Sequence, residues 1–192
     1  MKNLVFALLL SVFAINATAQ RLLGGDISLL PSYESGGTQY RDSTGKAMPF
    51  FQLVKDQGKW NAIRVRLFVN PADAPQSAKD EGVCQDINYI IPLCKQIKAE
   101  GMRLMLDFHY SDTWADPAKQ FIPKSWTKAG KAVLPDSVYA FTRRSLLRLK
   151  AEGVSPDLIQ VGNEITFGML WPYGKVDPLF NVDGNHAWRA DK

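Results

Sequence analysis

The sequence predicts an α/β fold in which strands and helices alternate and the strands run parallel. Apolar strand segments take turns along the chain with segments whose apolar residues recur at helical spacing. Long loops rich in Trp, Tyr, Asp and Asn follow the strands, while the returns from helix to strand are short. This asymmetry favours a (β/α)8 TIM barrel, whose active site lies where the carboxyl ends of the strands meet. A doubly wound sheet is the alternative, but no glycine-rich phosphate turn follows the first strand.

The first two strand–helix units are defined by turn residues and apolar runs. Gly24–Leu29 predicts a short strand, and the turn-rich loop Pro31–Gly45 follows it. A helix is expected over Met48–Gln57. Ala62–Val69 then predicts the second strand, which stops at an Asn-Pro pair.

Two further units follow. Apolar residues recur at helical spacing from Asp86 to Gly101, and Met102–Phe108 predicts the third strand. Asp136 is expected to cap the next helix. The fourth strand is predicted over Leu158–Gly162. Four units amount to the N-terminal half of an eight-stranded barrel, so we expect an incomplete chain, truncated or split, that is poorly stable or self-associates by itself.

Composition and charge narrow the possible functions. The 192 residues carry 23 Lys and Arg against 19 Asp and Glu, for a net charge of +4, and show no long basic run. Nucleic acid is therefore not an expected partner. Two Cys and two His support no metal site or cofactor. Cys84 and Cys94 are expected to be free thiols packed inside the fold, because a helix holds Cys94 too far from Cys84 for a disulfide.

The N-terminus has the features of an export signal. Lys2 precedes the apolar stretch Leu4–Ile15, and small residues follow at Ala17-Thr18-Ala19. The apolar stretch is shorter than the roughly 20 residues that span a membrane. We therefore predict a signal peptide over residues 1–19, a catalytic-domain portion over residues 20–192, and a secreted or periplasmic product that leaves the membrane after cleavage.

Polar residues at the predicted strand ends are the candidates for chemistry. They are Arg64 and Arg66, then Asp107, His109 and Asp112, and finally the pair Asn163-Glu164. A carboxylic acid among apolar neighbours such as Val161, Ile165 and Trp171 is expected to have a raised pKa and to act as a proton donor. Glu164 is the candidate acid, and a solvated loop carboxylate or an arginine partner is the alternative.

Four segments then resemble a known family. GGDISLL, IRVRLFVNP, DFHYSDTWADPAKQ and QVGNEITFGMLWP are similar, in order and spacing, to glycoside hydrolase family 53, the arabinogalactan endo-β-1,4-galactanases. The resemblance extends from Leu23 to Pro172. It implies retaining hydrolysis of β-1,4-galactan or arabinogalactan, with Glu164 as the acid/base and Asn163 bonded to the sugar 2-hydroxyl.

The resemblance also implies a residue that the chain does not supply. The family nucleophile is a Glu at the seventh strand, and retaining cleavage places it about 5–5.5 Å from the acid/base. We expect that none of the remaining glutamates, Glu34, Glu81, Glu100 and Glu152, can substitute for it. The 192-residue chain is therefore expected to be inactive without a C-terminal half.

The other candidate site residues are predicted to bind substrate, each with a structural alternative. Arg66 resembles the arginine that holds the nucleophile ionised, or forms an ion pair inside the barrel. His109 orients a carboxylate, bonds a sugar hydroxyl, or is a satisfied buried histidine. Asp112 is a weaker candidate for a sugar ligand, because a carboxylate at such a position more often bonds to loop or barrel groups. Trp114 and Trp171 offer aromatic faces to galactose.

Two other functions remain open at this point. A related barrel could act on mannan or xylan, and an inactive carbohydrate-binding barrel could use its tryptophans to bind galactan. A calcium-binding loop near the C-terminus is not favoured, because its glycine is at the wrong offset and the closing Glu is absent. That pattern comprises Asp177, Asn181, Asp183 and Asn185.

Overall fold

The computed structural model describes residues 21–128 and 130–176. The predicted signal peptide and the polar segment containing Asp177, Asn181, Asp183 and Asn185 lie outside these residues. The strands are β1 (Gly24–Asp26), β2 (Ala62–Leu67), β3 (Arg103–Phe108) and β4 (Leu158–Val161). The helices are α1 (Leu30–Ser35), α2 (Phe50–Asp56), α3 (Gln76–Asp80), α4 (Ile87–Ala99) and α5 (Leu134–Ala151). None of the described helices is long and apolar enough to cross a membrane.

The four strands form one parallel sheet in the order β1-β2-β3-β4. Arg64 lies opposite Asp26 on β1, and Arg66 lies opposite Asp107 on β3. Parallel strands that alternate with helices confirm the predicted (β/α) architecture and match part of a barrel. The polar strand-end residues therefore gather at one edge, which we call the carboxyl edge.

The alternation of side chains along β2 separates a core face from a polar face. Ile63, Val65 and Leu67 are fully buried against the helix layer, whereas Arg64 and Arg66 are directed to the opposite face, the inner face of the sheet. Helix α4 packs on β2 and β3 and buries its apolar stripe there. Burying a Val, Ile or Leu side chain contributes about 1.5–3 kcal/mol to the free energy of folding.

Two predicted boundaries were wrong for local reasons. The first strand ends at Asp26 rather than Leu29, because the Asp26 carboxylate accepts hydrogen bonds from the N–H and hydroxyl of Ser28 and turns the chain. The turn-rich loop also contains α1. Helix α5 begins at Leu134, so Asp136 lies in its first turn and does not cap it. Pro135 fits this first turn, because the main-chain N–H that proline lacks would have no partner within the helix at that position.

Strand β4 lies at an edge of the sheet and is covered less well than its neighbours. Ile159 and Val161 pair with Leu106 and Phe108 and therefore belong to the helix-facing side. They are nevertheless 44% and 58% exposed, whereas Leu106 is fully buried. Only a one-turn 3-10 helix, Ile165–Phe167, follows β4 among the described residues, and the apolar side chains of this strand stay open to solvent.

Asp112 joins the loops that follow β2 and β3. One carboxylate oxygen accepts a hydrogen bond from the main-chain N–H of Asn70 at 3.0 Å, and the other accepts from the N–H of Lys124 at 2.7 Å. The side chain is buried, and this burial raises the pKa of Asp112. Both oxygens are thus engaged with the main chain, so the predicted contact of Asp112 with sugar has no support in this geometry.

Asp112→Ala should lower the free energy of unfolding, because it leaves two main-chain N–H groups without an acceptor, each costing about 1–3 kcal/mol when buried. Denaturant unfolding measures this loss. Asp116→Ala is the matched control, since Asp116 also accepts from two main-chain N–H groups but is partly exposed, so that water can replace it. Equal losses for the two variants would contradict the role assigned to Asp112.

The two thiols are free, as predicted, and differ in environment. Cys94 is fully buried on α4, and burial raises its pKa to about 12. Cys84 is partly exposed.

A thiol-specific reagent at pH 8 should therefore modify one cysteine of the native chain quickly and the second only after unfolding, because the thiolate is the reactive form. In Cys84→Ser the fast phase should disappear. Rapid labelling of two thiols in the native wild-type chain would show that Cys94 is accessible.

Candidate active site

Arg64 is the centre of the polar inner face. Its Nη1 donates to Asp26 Oδ2 at 3.1 Å, and its Nη2 pairs with Asp107 Oδ2 and donates to Asn163 Oδ1 at 2.6 Å. One guanidinium therefore connects β1, β3 and the segment after β4. The sequence favoured Arg66 over Arg64, because Arg66 is nearer the end of β2, and the contact between Arg64 and Asn163 became visible only in three dimensions.

Arg66 lies farther along β2 and has different partners. Its Nη2 donates to Asp26 Oδ1 at 2.9 Å, and its Nε donates to Ser28 Oγ at 3.1 Å. The guanidinium also lies over the Trp114 ring, 4.5 Å from the centroid. Of the two interpretations left open by the sequence, these contacts correspond to an ion pair inside the barrel.

His109 is buried, with 2% of its surface exposed, and faces Asp107. Its Nδ1 accepts a hydrogen bond from the N–H of Ala115 at 3.1 Å, so the proton of the neutral ring is on Nε2. Nε2 lies 3.2 Å from Asp107 Oδ2, although the angle does not meet hydrogen-bond geometry. The position of His109 favours orientation of a carboxylate over contact with a sugar hydroxyl.

The Asn163 side chain is held by contacts on both of its polar atoms. Oδ1 accepts from Arg64 and from Gln160 Nε2, the latter at 3.3 Å, and Nδ2 donates to the carbonyl of Ala115 at 2.7 Å. These bonds fix the orientation of the amide. One N–H of Nδ2 has no partner among the described residues and is available to a sugar hydroxyl.

Glu164 follows in a left-handed backbone conformation, with φ 51° and ψ 43°. Such a conformation costs of order 1–3 kcal/mol in a residue other than glycine and is concentrated at functional sites. The preceding Gly162 has φ 83°, and a Cβ there would lie 2.6 Å from the Ile165 side chain, so the turn requires glycine. The sharp turn directs Glu164 away from the end of β4.

The environment of Glu164 differs from the expected one. Its carboxylate is exposed and makes no hydrogen bond or ion pair with another described residue. The described residues do not form the predicted apolar enclosure, since Val161 is on the open helix-facing side and Ile165 is 41% exposed. Among the described residues Glu164 is thus a free carboxylate at the carboxyl edge and pairs with no arginine.

The two predicted sugar platforms each have a cation over one face. Trp114 is half-buried against Phe68, with ring centroids 5.4 Å apart, and carries the Arg66 guanidinium. The Trp171 indole N–H donates to the carbonyl of Phe167, and Lys175 Nζ lies 4.3 Å from the Trp171 ring centroid. At most one face of either indole is therefore open to a sugar.

The described residues contain no group of three His, Cys, Asp or Glu side chains suited to a metal ion. The carboxylates of the inner face are instead paired with arginines.

Comparison with known proteins shows similarity over most of the chain. The family model described as glycosyl hydrolase family 53 matches residues 22–189. A Neosartorya fischeri protein named probable arabinogalactan endo-β-1,4-galactanase A is 35% identical over 178 residues, which are 93% of this chain and 47% of the relative. The endo-β-1,4-galactanase of Bacillus subtilis is 36% identical, over 86% of this chain and 38% of the relative.

Solved structures give the same result. A chain from a study of two fungal β-1,4-galactanases has a TM-score of 0.72 and 34% identity, covering 83% of this chain and 45% of that chain. The Ignisphaera aggregans catalytic domain of the same family has a TM-score of 0.72 and 31% identity, covering 84% and 44%. The chain thus spans about half the length of the relatives that it matches. Because the family model covers most of its residues, the chain belongs to glycosyl hydrolase family 53.

Proposed function

We propose that the chain supplies the acid/base side of a retaining endo-β-1,4-galactanase that acts on galactan or arabinogalactan. Membership of a glycosyl hydrolase family and relatives named galactanases support hydrolysis of this linkage. The observation that carries the proposal is Glu164, a free carboxylate held on a left-handed turn beside an oriented asparagine at the carboxyl edge.

Glu164 acts in both halves of the proposed reaction. It first donates its proton to the glycosidic oxygen of the departing chain, and then accepts a proton from the water that hydrolyses the glycosyl-enzyme intermediate. Asn163 donates its remaining N–H to the 2-hydroxyl of the sugar. Arg64 donates a hydrogen bond to Asn163 Oδ1 and so fixes the orientation of the amide, including the direction of that N–H.

The nucleophile of this reaction is, we propose, a carboxylate that the described residues do not contain. Asp26 and Asp107 are paired with arginines, and Asp112 is engaged with main-chain N–H groups. Glu100 and Glu152 end the helices that lead into β3 and β4, and therefore lie toward the opposite edge of the sheet. The two other glutamates belong to α1 and to the end of α3. By this proposal the 192-residue chain alone does not hydrolyse galactan.

We also propose that the chain is exported. Lys2, the apolar stretch and the small residues before Gln20 support this location.

In a protein that carries both Glu164 and the proposed nucleophile, Glu164→Gln should lower kcat on galactan by about 10²–10⁴-fold. The amide keeps the shape of the side chain but cannot transfer a proton to the glycosidic oxygen. Release of reducing ends measures the rate, and titration with galacto-oligosaccharide should show unchanged binding. Glu81→Gln, at an exposed glutamate beside α3, is the control and should retain full activity. Wild-type turnover by the Glu164 variant would exclude it as the acid/base.

The purified 192-residue chain should release no reducing ends from galactan, mannan or xylan, since its described residues hold no second free carboxylate near Glu164. Galactan turnover by this chain would refute the proposal that the nucleophile is absent. Hydrolysis of mannan or xylan would change the substrate. Galactan binding without turnover, even when a C-terminal half of a relative is supplied, would favour a carbohydrate-binding protein.

A further inference from the structure

Gln120 is a buried polar residue in the loop after β3 that has no part in the reaction described so far. Only 2% of its surface is exposed. Its Nε2 donates to the carbonyl oxygen of Asn163 at 2.8 Å and approaches the carbonyl oxygen of Glu164 at 3.3 Å. A third acceptor, the carbonyl of Asp116 in its own loop, lies at 3.3 Å. One side-chain amide thus contacts two consecutive carbonyls of the segment that carries Glu164.

The main chain around Gln120 strengthens this connection. The carbonyl of Gln120 accepts a hydrogen bond from the N–H of Trp171 at 2.7 Å, and Phe121 forms a parallel bridge with Trp171. The Asn163 amide donates to the carbonyl of Ala115 in the same loop. The loop after β3 is therefore bonded to the segment around Glu164 at two places, at Ala115 and at Gln120 with Phe121.

The carbonyls of Asn163 and Glu164 belong to the two peptide planes on either side of the Glu164 Cα. The carbonyl of Asn163 belongs to the peptide plane that precedes the Cα of Glu164, and the carbonyl of Glu164 belongs to the plane that follows it. Holding both planes sets φ and ψ of Glu164, and these two angles set the direction of its Cα–Cβ bond. Glu164 is in the left-handed region, which a residue other than glycine keeps only when its surroundings impose it.

We propose that Gln120 is a positioning residue for Glu164, and that its amide imposes the left-handed conformation that aims the acid/base carboxyl at the glycosidic oxygen. This inference rests on the proposed function, in which Glu164 is the proton donor. Gln120 touches neither substrate nor reacting atoms, and it acts only through the backbone of Glu164.

The test compares Gln120→Met with Gln85→Met in a protein that carries both carboxylates. Gln85 is the matched control, because it is equally buried and its side-chain amide also bonds to main-chain atoms, the carbonyl of Gly82 and the N–H of Cys84. Gln120→Met should lower kcat on galactan at least tenfold with KM within about twofold of wild type, whereas Gln85→Met should keep the wild-type kcat. Equal kcat values for the two variants would overturn the proposal.

A substrate with an acidic leaving group separates loss of positioning from general damage. The dinitrophenolate group of a dinitrophenyl galacto-oligosaccharide departs without being protonated. Formation of the glycosyl-enzyme from this substrate therefore does not need a correctly positioned general acid. Gln120→Met should keep near wild-type burst rates on this substrate while it loses rate on galactan. An equal loss on both substrates would assign Gln120 a structural role only.

Gln120→Glu provides a conservative variant that keeps the size of the side chain. When protonated it can donate one hydrogen bond to the two carbonyls, and when ionised it can donate none. Its kcat relative to wild type should therefore rise toward acidic pH, and a pH-independent ratio would contradict the proposal. This comparison remains decisive where Gln120→Met does not fold.

A crystal structure of the Gln120 variant gives a readout that needs no activity. The proposal expects Glu164 to leave the left-handed region, with its carboxyl displaced, while the sheet is unchanged. If wild type hydrolyses no galactoside but Glu164 moves in the variant, the proposed function fails and the positioning contact stands. If Glu164 stays in place, the inference about Gln120 is wrong whatever the protein hydrolyses.

Discussion

The ion pairs of Arg64 are the interaction on which the rest of the site depends. A guanidinium on the inner face of β2 has lost much of its hydration, and this loss is tolerable only when carboxylates and hydrogen-bond acceptors surround it. Asp26 from β1, Asp107 from β3 and Asn163 after β4 meet this requirement. Each of them comes from a different part of the sheet, so satisfying one charge also sets the relative positions of the strand ends.

The loops at the carboxyl edge follow from the same constraint. Asn163, which bonds to Arg64, lies in a sharp turn after β4 between Gly162 and the left-handed Glu164, both of which have positive φ. The loop after β3 then packs over the turn, and its Gln120 and Ala115 take up the polar groups that the turn leaves unpaired. The polar groups of this turn and loop thus form hydrogen bonds mostly with one another. These bonds hold the main chain that carries the exposed Glu164 carboxyl.

The open side of β4 shows how far this order extends. Ile159 and Val161 have the alternation of a buried strand, yet both are more than 40% exposed, whereas β2 and β3 are covered by α4. A strand pattern specifies which face is apolar, but it does not specify what covers that face. The same reasoning explains why the expected apolar surroundings of Glu164 are not observed.

The sequence predicts the alternation of strands and helices, the parallel sheet and the position of Asn163-Glu164 at a strand end, because periodicity and turn residues act over short distances. It did not determine the partners. The preference for Arg66 over Arg64 used distance along one strand, whereas the contact of Arg64 with Asn163 spans 99 residues of sequence. The buried contact of Gln120 with the Glu164 backbone likewise leaves no local signal. These pairings form only in the folded chain, because a buried polar group needs a hydrogen-bond partner and folding determines which groups lie within reach.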